Sequence, residues 1–500
     1  MALWVFLAFS TLYAGLSRGH FIGTDEVAIY QATRSLWEDR DLHTETINNT
    51  FVGRGGLRYS QYSAGQSVAA LPLYGLGAWI GQLLERNGLY DWVGVFAWPT
   101  LGMEPTQWGG TTGIFFVNLF NAFTTALTCA VFFAFSVRLG GSVRGSLIST
   151  ALLGLTTYVG PFSTTFLQHP SEALLVLWSC YFLFVDAQRP DWRSRAWAGT
   201  LLGLAFVFRF QAFVAAPALG LYLGWSVWER SGRRLGALPR GGLRELPAFV
   251  LPVLAGAAVH FAVNYVKFES IWGRYSGVEF ANPFETGLYG LLFSPGASVF
   301  IFTPLLLLLP WTFAHFARTR RNECVLIVTL GACYLLFYGS YVYWHGLWSG
   351  LGPRYLMPMV PLLLLPLTGW MEARGSRAWL AVAPLAVAGA WVQFVHVAVN
   401  FSYIAYFERY PNLSWPPASL DFMFSLERSP IVAHSRATLA WDGRVDLWLL
   451  NVYRMFGTER VLQLLVPLLC VLAICLWGLW RAARAAQPGA VVPRDAEATT

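Results

Sequence analysis

The sequence predicts an all-α integral membrane protein with about twelve spanning helices and both termini in the cytoplasm. Three observations predict it. Of the 500 residues, 56% are apolar and only 12% charged, about half the ~25% of a soluble globular chain. So few charges cannot coat a water-facing globule of this length, and a disordered chain needs the opposite balance. Apolar runs of the ~20 residues that cross a bilayer recur along the chain, and arginines gather in alternate short loops between them.

The candidate spans are 2–17, 112–136, 145–163, 170–187, 246–264, 289–314, 324–343, 355–371, 378–401 and 459–480, with 196–228 read as two short spans in a tight hairpin around Arg209 and Pro217. The first run has neither a basic leader nor a small-residue cleavage site before Ser17–His20, so it reads as a retained anchor. The segment 64–84 is apolar but carries Pro72, Gly75, Gly77 and Gly81. If it crossed, every later loop would change sides and the basic bias would invert, against the rule that inner loops retain Arg and Lys. It is therefore expected in the outer interface. Arg138, Arg144, Arg189, Arg230, Arg320 and Arg374 then fall on inner turns.

One polytopic domain over 1–480 follows, with outer segments at 18–111, 265–288, 344–355 and 402–458 and a disordered cytoplasmic tail at 481–500. The +7 net charge has this topological cause and is no nucleic-acid signature. Cys129, Cys180, Cys324, Cys333, Cys470 and Cys475 all sit in apolar runs, which argues against a disulfide framework or a zinc site. The triplets Asn48-Asn49-Thr50 and Asn412-Leu413-Ser414 match the glycosylation pattern, but so short a motif recurs by chance. Trp415-Pro416-Pro417 shows no catalytic pattern.

Polar chemistry gathers on the outer side. Asp25 and Glu26 open a helix whose Ile29, Thr33, Leu36 and Trp37 share one face, an amphipathic juxtamembrane helix with Thr24 expected as its N-cap. Acids in a first turn also complement the helix dipole. Arg209 stands among Phe206, Phe208, Phe210 and Phe213, where a charge faces a cavity, a partner or the interface. Gln168-His169-Pro170-Ser171-Glu172 opens a span with good N-terminal grammar. Arg354-Tyr355 ends a loop rich in glycine and tryptophan at a helix start, where anions are favoured. Arg274 and Lys267, the single lysine, lie in or beside the outer loop 265–288.

An acidic pair after the first span, Leu57-Arg58-Tyr59 before the segment 64–84, His169-Pro170 and the glycine-bearing run Gly199–Arg209 resemble the GT-C membrane glycosyltransferases. The resemblance is to the protein O-mannosyltransferase and aminoarabinose lipid A transferase branch, and it covers mainly residues 1–230. It implies a GT-C-like fold with juxtamembrane helices in the first outer loop. It also implies an inverting transfer of sugar from a polyprenyl-phosphate donor to a lipid, polysaccharide or protein acceptor at the outer face of the membrane, and the arginine-rich, lysine-poor composition points to a bacterial plasma membrane. In that reading Asp25 is the catalytic base with Glu26 beside it. Arg58, Tyr62, His169, Glu172, Arg209, Arg274, Arg354 and Tyr355 contact the substrates. His169 stands where the family often has an acid, which leaves a divalent cation undecided. A flippase for a lipid-linked sugar and a glycan ligase are the competing readings; the ligase's diphosphate donor would require more cations than Arg58, Arg209 and Arg354 supply.

Overall fold

The computed structural model describes residues 1–46, 48–96, 112–232, 245–274, 280–346, 351–399, 421–441 and 445–485. Trp415-Pro416-Pro417, Asn412-Leu413-Ser414 and the tail beyond 485 lie outside the described residues. Within them the chain is helical apart from one antiparallel hairpin, β1 (Thr50–Val52) and β2 (Arg58–Ser60), which pairs Phe51 with Tyr59.

Among the described residues, seven helical stretches are long and apolar enough to cross a membrane: Thr112–Arg138, His169–Gln188, Phe210–Arg230, Pro247–Phe268, Arg321–Gly339, Arg354–Ala398 and Trp448–Ala485. The sixth holds two helices, Val360–Arg374 and Trp379–Ala398, joined at Gly375. Ala2–Gly15 and Val143–Thr156 are shorter apolar helices. The segment 64–84 forms Gly65–Ala69 and Leu71–Arg86, neither of them among the seven.

Two of the apolar runs come out differently. The run 289–314 is broken into Phe284–Phe293, Val299–Phe302, a 3-10 turn Pro304–Leu308 and Leu309–Thr319. Ser294-Pro295-Gly296 ends the first piece, the Ser298 hydroxyl caps the second, and Pro304 and Pro310 open the others; proline removes a helical hydrogen bond and clashes with the preceding turn. Nor is 196–228 a tight hairpin. Trp192–Phe208 ends at Arg209, whose backbone is extended (φ −154°, ψ 114°), and a 3-10 turn Phe210–Ala215 leads into Ala216–Arg230. Both helices pack on His169–Gln188 rather than on each other.

Small residues set how Arg209 is delivered. A Cβ on Gly203 would meet the Pro252 carbonyl oxygen at 2.5 Å, and one on Gly256 the Gly203 oxygen at 2.2 Å. The helices Trp192–Phe208 and Pro247–Phe268 therefore touch backbone to backbone, the close approach that small residues permit in membranes. A Cβ on Gly65 would strike the Val207 carbonyl oxygen at 2.6 Å, so the start of Gly65–Ala69 rests on the end of the same helix and carries Gln61–Ser63 with it.

The helices have two chemically different ends. At one end Arg320 donates to the Leu139 carbonyl, Ser142 bonds Glu372, and Asn322 bonds Glu229. There too Arg195 meets Asp186 at 2.8 Å and Arg230 meets Glu245 at 2.6 Å. These are the arginine-rich turns. The opposite ends of several of these helices, at His169, Arg209, Phe337–Tyr338 and Arg354, meet at a cavity.

Candidate functional site

The helix Thr24–Glu38 begins after an extended Gly23, and Gly23 rather than Thr24 is its N-cap. Glu26 supplies the capping acceptor: its Oε2 takes the Ile22 and Gly23 N–H groups at 2.8 and 2.9 Å, and its Oε1 takes the Phe166 N–H at 2.5 Å. It is 1% exposed, and burial pushes its pKa up despite those donors and the nearby Arg18. Glu26 thus ties this helix to Phe166 and, unlike Asp25, is not among the residues lining the cavity.

Asp25, one residue earlier, points the other way. Its Oδ1 accepts from Asn49 Nδ2 at 3.0 Å and its Oδ2 from Arg354 Nη1 at 3.3 Å. Each carboxylate oxygen has capacity for a further bond. Asn49 itself sits at φ 58°, a left-handed conformation that asparagine tolerates. It also bonds Thr24 Oγ1 and accepts from Gln61 Nε2, so the loop that follows the helix clamps the carboxylate.

Asp25 lines a cavity of about 430 Å³ together with Tyr62, His169, Arg209, Arg274, Arg354 and Tyr355. Arg209 is 5% exposed and bonds Glu172, which also accepts from Tyr334 Oη at 2.8 Å. The Arg209 guanidinium carbon lies 5.4 Å from the Tyr355 ring centre, and that of Arg354 lies 5.2 Å from the same ring. Tyr338 stacks on Tyr355 at 4.7 Å with 5° between the planes. Two cations are thus held against one aromatic ring, each within cation–π range, with a carboxylate beside the second. His345, buried next to Arg354, has its pKa pushed down to about 3, by burial first and then by that arginine.

A separate buried cluster locks the base of this region. Arg18, fully buried, donates to Thr164 Oγ1 at 2.6 Å and to the carbonyls of His396, Val397 and Val399. His20 meets Asp446 at 2.9 Å. Burial opposes protonation of His20, but the Asp446 carboxylate outweighs it and raises the His20 pKa. Burial likewise opposes ionisation of Asp446, and His20 and Arg18 hold its pKa well below the usual range.

Residues 109–254 match the family model of the dolichyl-phosphate-mannose-protein mannosyltransferases, a stretch that carries His169, Glu172 and Arg209. Among solved structures, ArnT from Cupriavidus metallidurans in the apo state is 14% identical over 97% of this chain and 75% of its own, with a TM-score of 0.48. The same protein bound to undecaprenyl phosphate gives 16%, 97%, 76% and 0.46. No curated protein matches in sequence.

Of the residues expected in the site, Asp25, Tyr62, His169, Arg209, Arg274, Arg354 and Tyr355 line one cavity. Three others do not. Glu26 is spent on backbone, Glu172 stands behind Arg209 at 0% exposure, and Arg58 bonds Thr50 across the hairpin. Lys267 also turns away, donating to the Ser60 and Tyr62 carbonyls at 2.8 Å each. Sequence reasoning missed Gln211, His260, Asn264 and Tyr338, which line the cavity, and drew nothing from Asn49. His260 and Asn264 are polar residues inside an apolar run, and that was the available signal. Among the described residues no three His, Cys, Asp or Glu side chains converge to hold a metal ion.

Proposed function

We propose that the protein is an integral membrane glycosyltransferase that moves a sugar from a polyprenyl-phosphate donor to an acceptor hydroxyl on a lipid, polysaccharide or protein. The observation that carries this reading is the meeting of Asp25, Arg209 and Arg354 around one cavity. Guanidinium groups suit phosphate oxygens, and a carboxylate with spare acceptor capacity suits the proton of an attacking hydroxyl.

The acceptor oxygen forms a bond to the anomeric carbon as the bond from that carbon to the phosphate oxygen breaks. The electron pair leaves on polyprenyl phosphate, where Arg209 and Arg354 neutralise it, and Asp25 takes the acceptor proton. General-base help of this kind is worth about a hundredfold or more. A single displacement inverts the anomeric centre. Glu172 and Tyr334 act as positioning residues for Arg209, and Asn49 for Asp25.

The reading includes one polytopic domain over 1–480 with twelve spans, cytoplasmic termini and an outward cavity in a bacterial plasma membrane. Its support is the gathering of arginine-rich turns at the end of the helices away from the cavity, on the rule that short inner loops retain basic residues. The alternative is a flippase or a ligase for a lipid-linked glycan. Interrupted helices such as those at Arg209 and between Phe293 and Leu309 are a transporter device. Purified protein in lipid nanodiscs, given a polyprenyl-phosphate sugar, should release polyprenyl phosphate, slowly by hydrolysis and faster with an acceptor. Movement of the intact donor across vesicles without release would favour the carrier.

A further inference from the structure

Resting on the reading of this cavity as a donor site, we infer that His169 is a catalytic residue for the leaving group. Carrying a proton in the donor complex, it donates a ring N–H to the phosphate oxygen that bears the sugar. It gives that oxygen the proton as the bond to the anomeric carbon breaks. The arrangement around one ring points to this role. The Tyr355 ring centre lies 5.2 Å from the Arg354 guanidinium carbon, 5.4 Å from that of Arg209 and 5.6 Å from the His169 ring centre. The imidazole therefore shares its wall with the two groups assigned to the phosphate.

His169 lines the cavity and is 6% exposed, and among the described residues neither ring nitrogen finds a partner. Arg354 Nε, at the same ring, is also buried without a bond. A buried polar group left unbonded is costly, so both are set aside for one ligand. A phosphate accepts from guanidinium and imidazole N–H groups alike. Histidine ordinarily titrates at about 6.5 and a phosphate monoester's second ionisation lies at about 6, so a proton passes between them at little cost. Among the described residues, the charges around His169 are Arg209, from the end of Trp192–Phe208, and Arg354, from the 3-10 turn Arg354–Met359 that also carries Tyr355. Tyr338, from Arg321–Gly339, stacks on Tyr355, and Glu172, one turn along the helix of His169, is bound to Arg209. Asp25 and His260 line the same cavity from Thr24–Glu38 and Pro247–Phe268. Two guanidinium groups disfavour a third cation until an anion enters, so donor binding brings a proton in from water.

The turnover balances. Asp25 takes the proton of the acceptor hydroxyl, whose oxygen bonds the anomeric carbon. The electron pair of the broken bond stays on the phosphate oxygen, which receives the His169 proton. Polyprenyl phosphate leaves as the hydrogen phosphate, Asp25 returns its proton to water, and neutral His169 takes one up with the next donor.

The test uses the full-length protein in nanodiscs with His169→Gln and His169→Asn, which remove no hydrogen bond of the resting structure. Release from an undecaprenyl-phosphate hexose is followed from mildly acid to alkaline pH. The parent's kcat should fall as pH rises, because His169 must hold its proton in the donor complex. Both variants should lose that alkaline limb and about tenfold in kcat, less than general acids usually supply because phosphate already leaves well, with KM changed less. Binding of farnesyl phosphate, measured by calorimetry in two buffers of different ionisation enthalpy, should take up more protons in the parent than in either variant. Equal proton uptake in parent and variants, or a parent kcat that does not fall at alkaline pH, would overturn the role of His169, while bound farnesyl phosphate would leave the donor reading standing. No binding of farnesyl phosphate, together with no release, would overturn the donor reading and this inference with it.

Discussion

Asp25 and Glu26 are consecutive acids in one helical turn, and they belong to two different regions of the molecule. Glu26 enters a closed region with Arg18, where the carboxylate takes three backbone N–H groups and the guanidinium takes four oxygens. Asp25 enters an open region, where its oxygens hold one contact each and the nearest arginines face a cavity. The contrast teaches where to look for chemistry in a membrane protein. A buried charge tied to the backbone of several segments holds helices together. One with bonds still to make, beside space, is reserved for a ligand.

The sharpest way to break the comparison is Arg209→Ala, because it leaves Glu172 buried without its cation. A loss of about 3–5 kcal/mol is expected, read from thermal unfolding in detergent. Arg209→Lys should recover most of that stability while still weakening donor binding, since it lacks the fork geometry. Glu26→Ala should cost about 3 kcal/mol by orphaning buried backbone donors, and the folded fraction should keep its donor affinity. If Glu26→Ala instead lost donor affinity without lost stability, the division between the two regions would fail.

Arg354→Lys should raise the donor KM roughly tenfold, the loss of a charge-assisted bidentate contact, with little change in unfolding temperature. The smallest effect concerns His20 and Asp446. The raised pKa of His20 means that its contribution is complete below its ordinary value of about 6.5 and is lost as pH rises through the folded value above that. The depressed pKa of Asp446 acts at the other extreme, its contribution being lost only when pH falls far below the carboxylate range. Thermal scans across the neutral to alkaline range should show a downward slope that His20→Gln removes.

Much of this was legible in the chain. Apolar runs and arginine placement foresaw a helical membrane protein, and isolated polar residues together with the family resemblance picked out seven residues that line the cavity. What was not legible depended on where side chains turn. Asp25 and Glu26 carry the same charge in the same turn, and only the 166–168 segment, distant in sequence, decides that one caps and the other lines. Arg58 and Lys267 were cations in the right neighbourhood, but neighbouring carbonyls of the hairpin and of Ser60–Tyr62 absorb them. The run 289–314 was apolar enough to read as one span, because average apolarity outweighed Pro295, Gly296 and Pro304. Arg18 looked like loop polarity after the first helix, although its four oxygen partners come from Thr164 and from 396–399.

The most direct measurement sets Asp25→Asn against the parent protein in two assays at once, polyprenyl-phosphate release and donor binding. Release should fall by about two orders of magnitude or more, while the donor Kd stays within a few-fold, because Arg209 and Arg354 remain. Release at the parent's rate from Asp25→Asn would contradict the assignment of Asp25 as the base at this cavity.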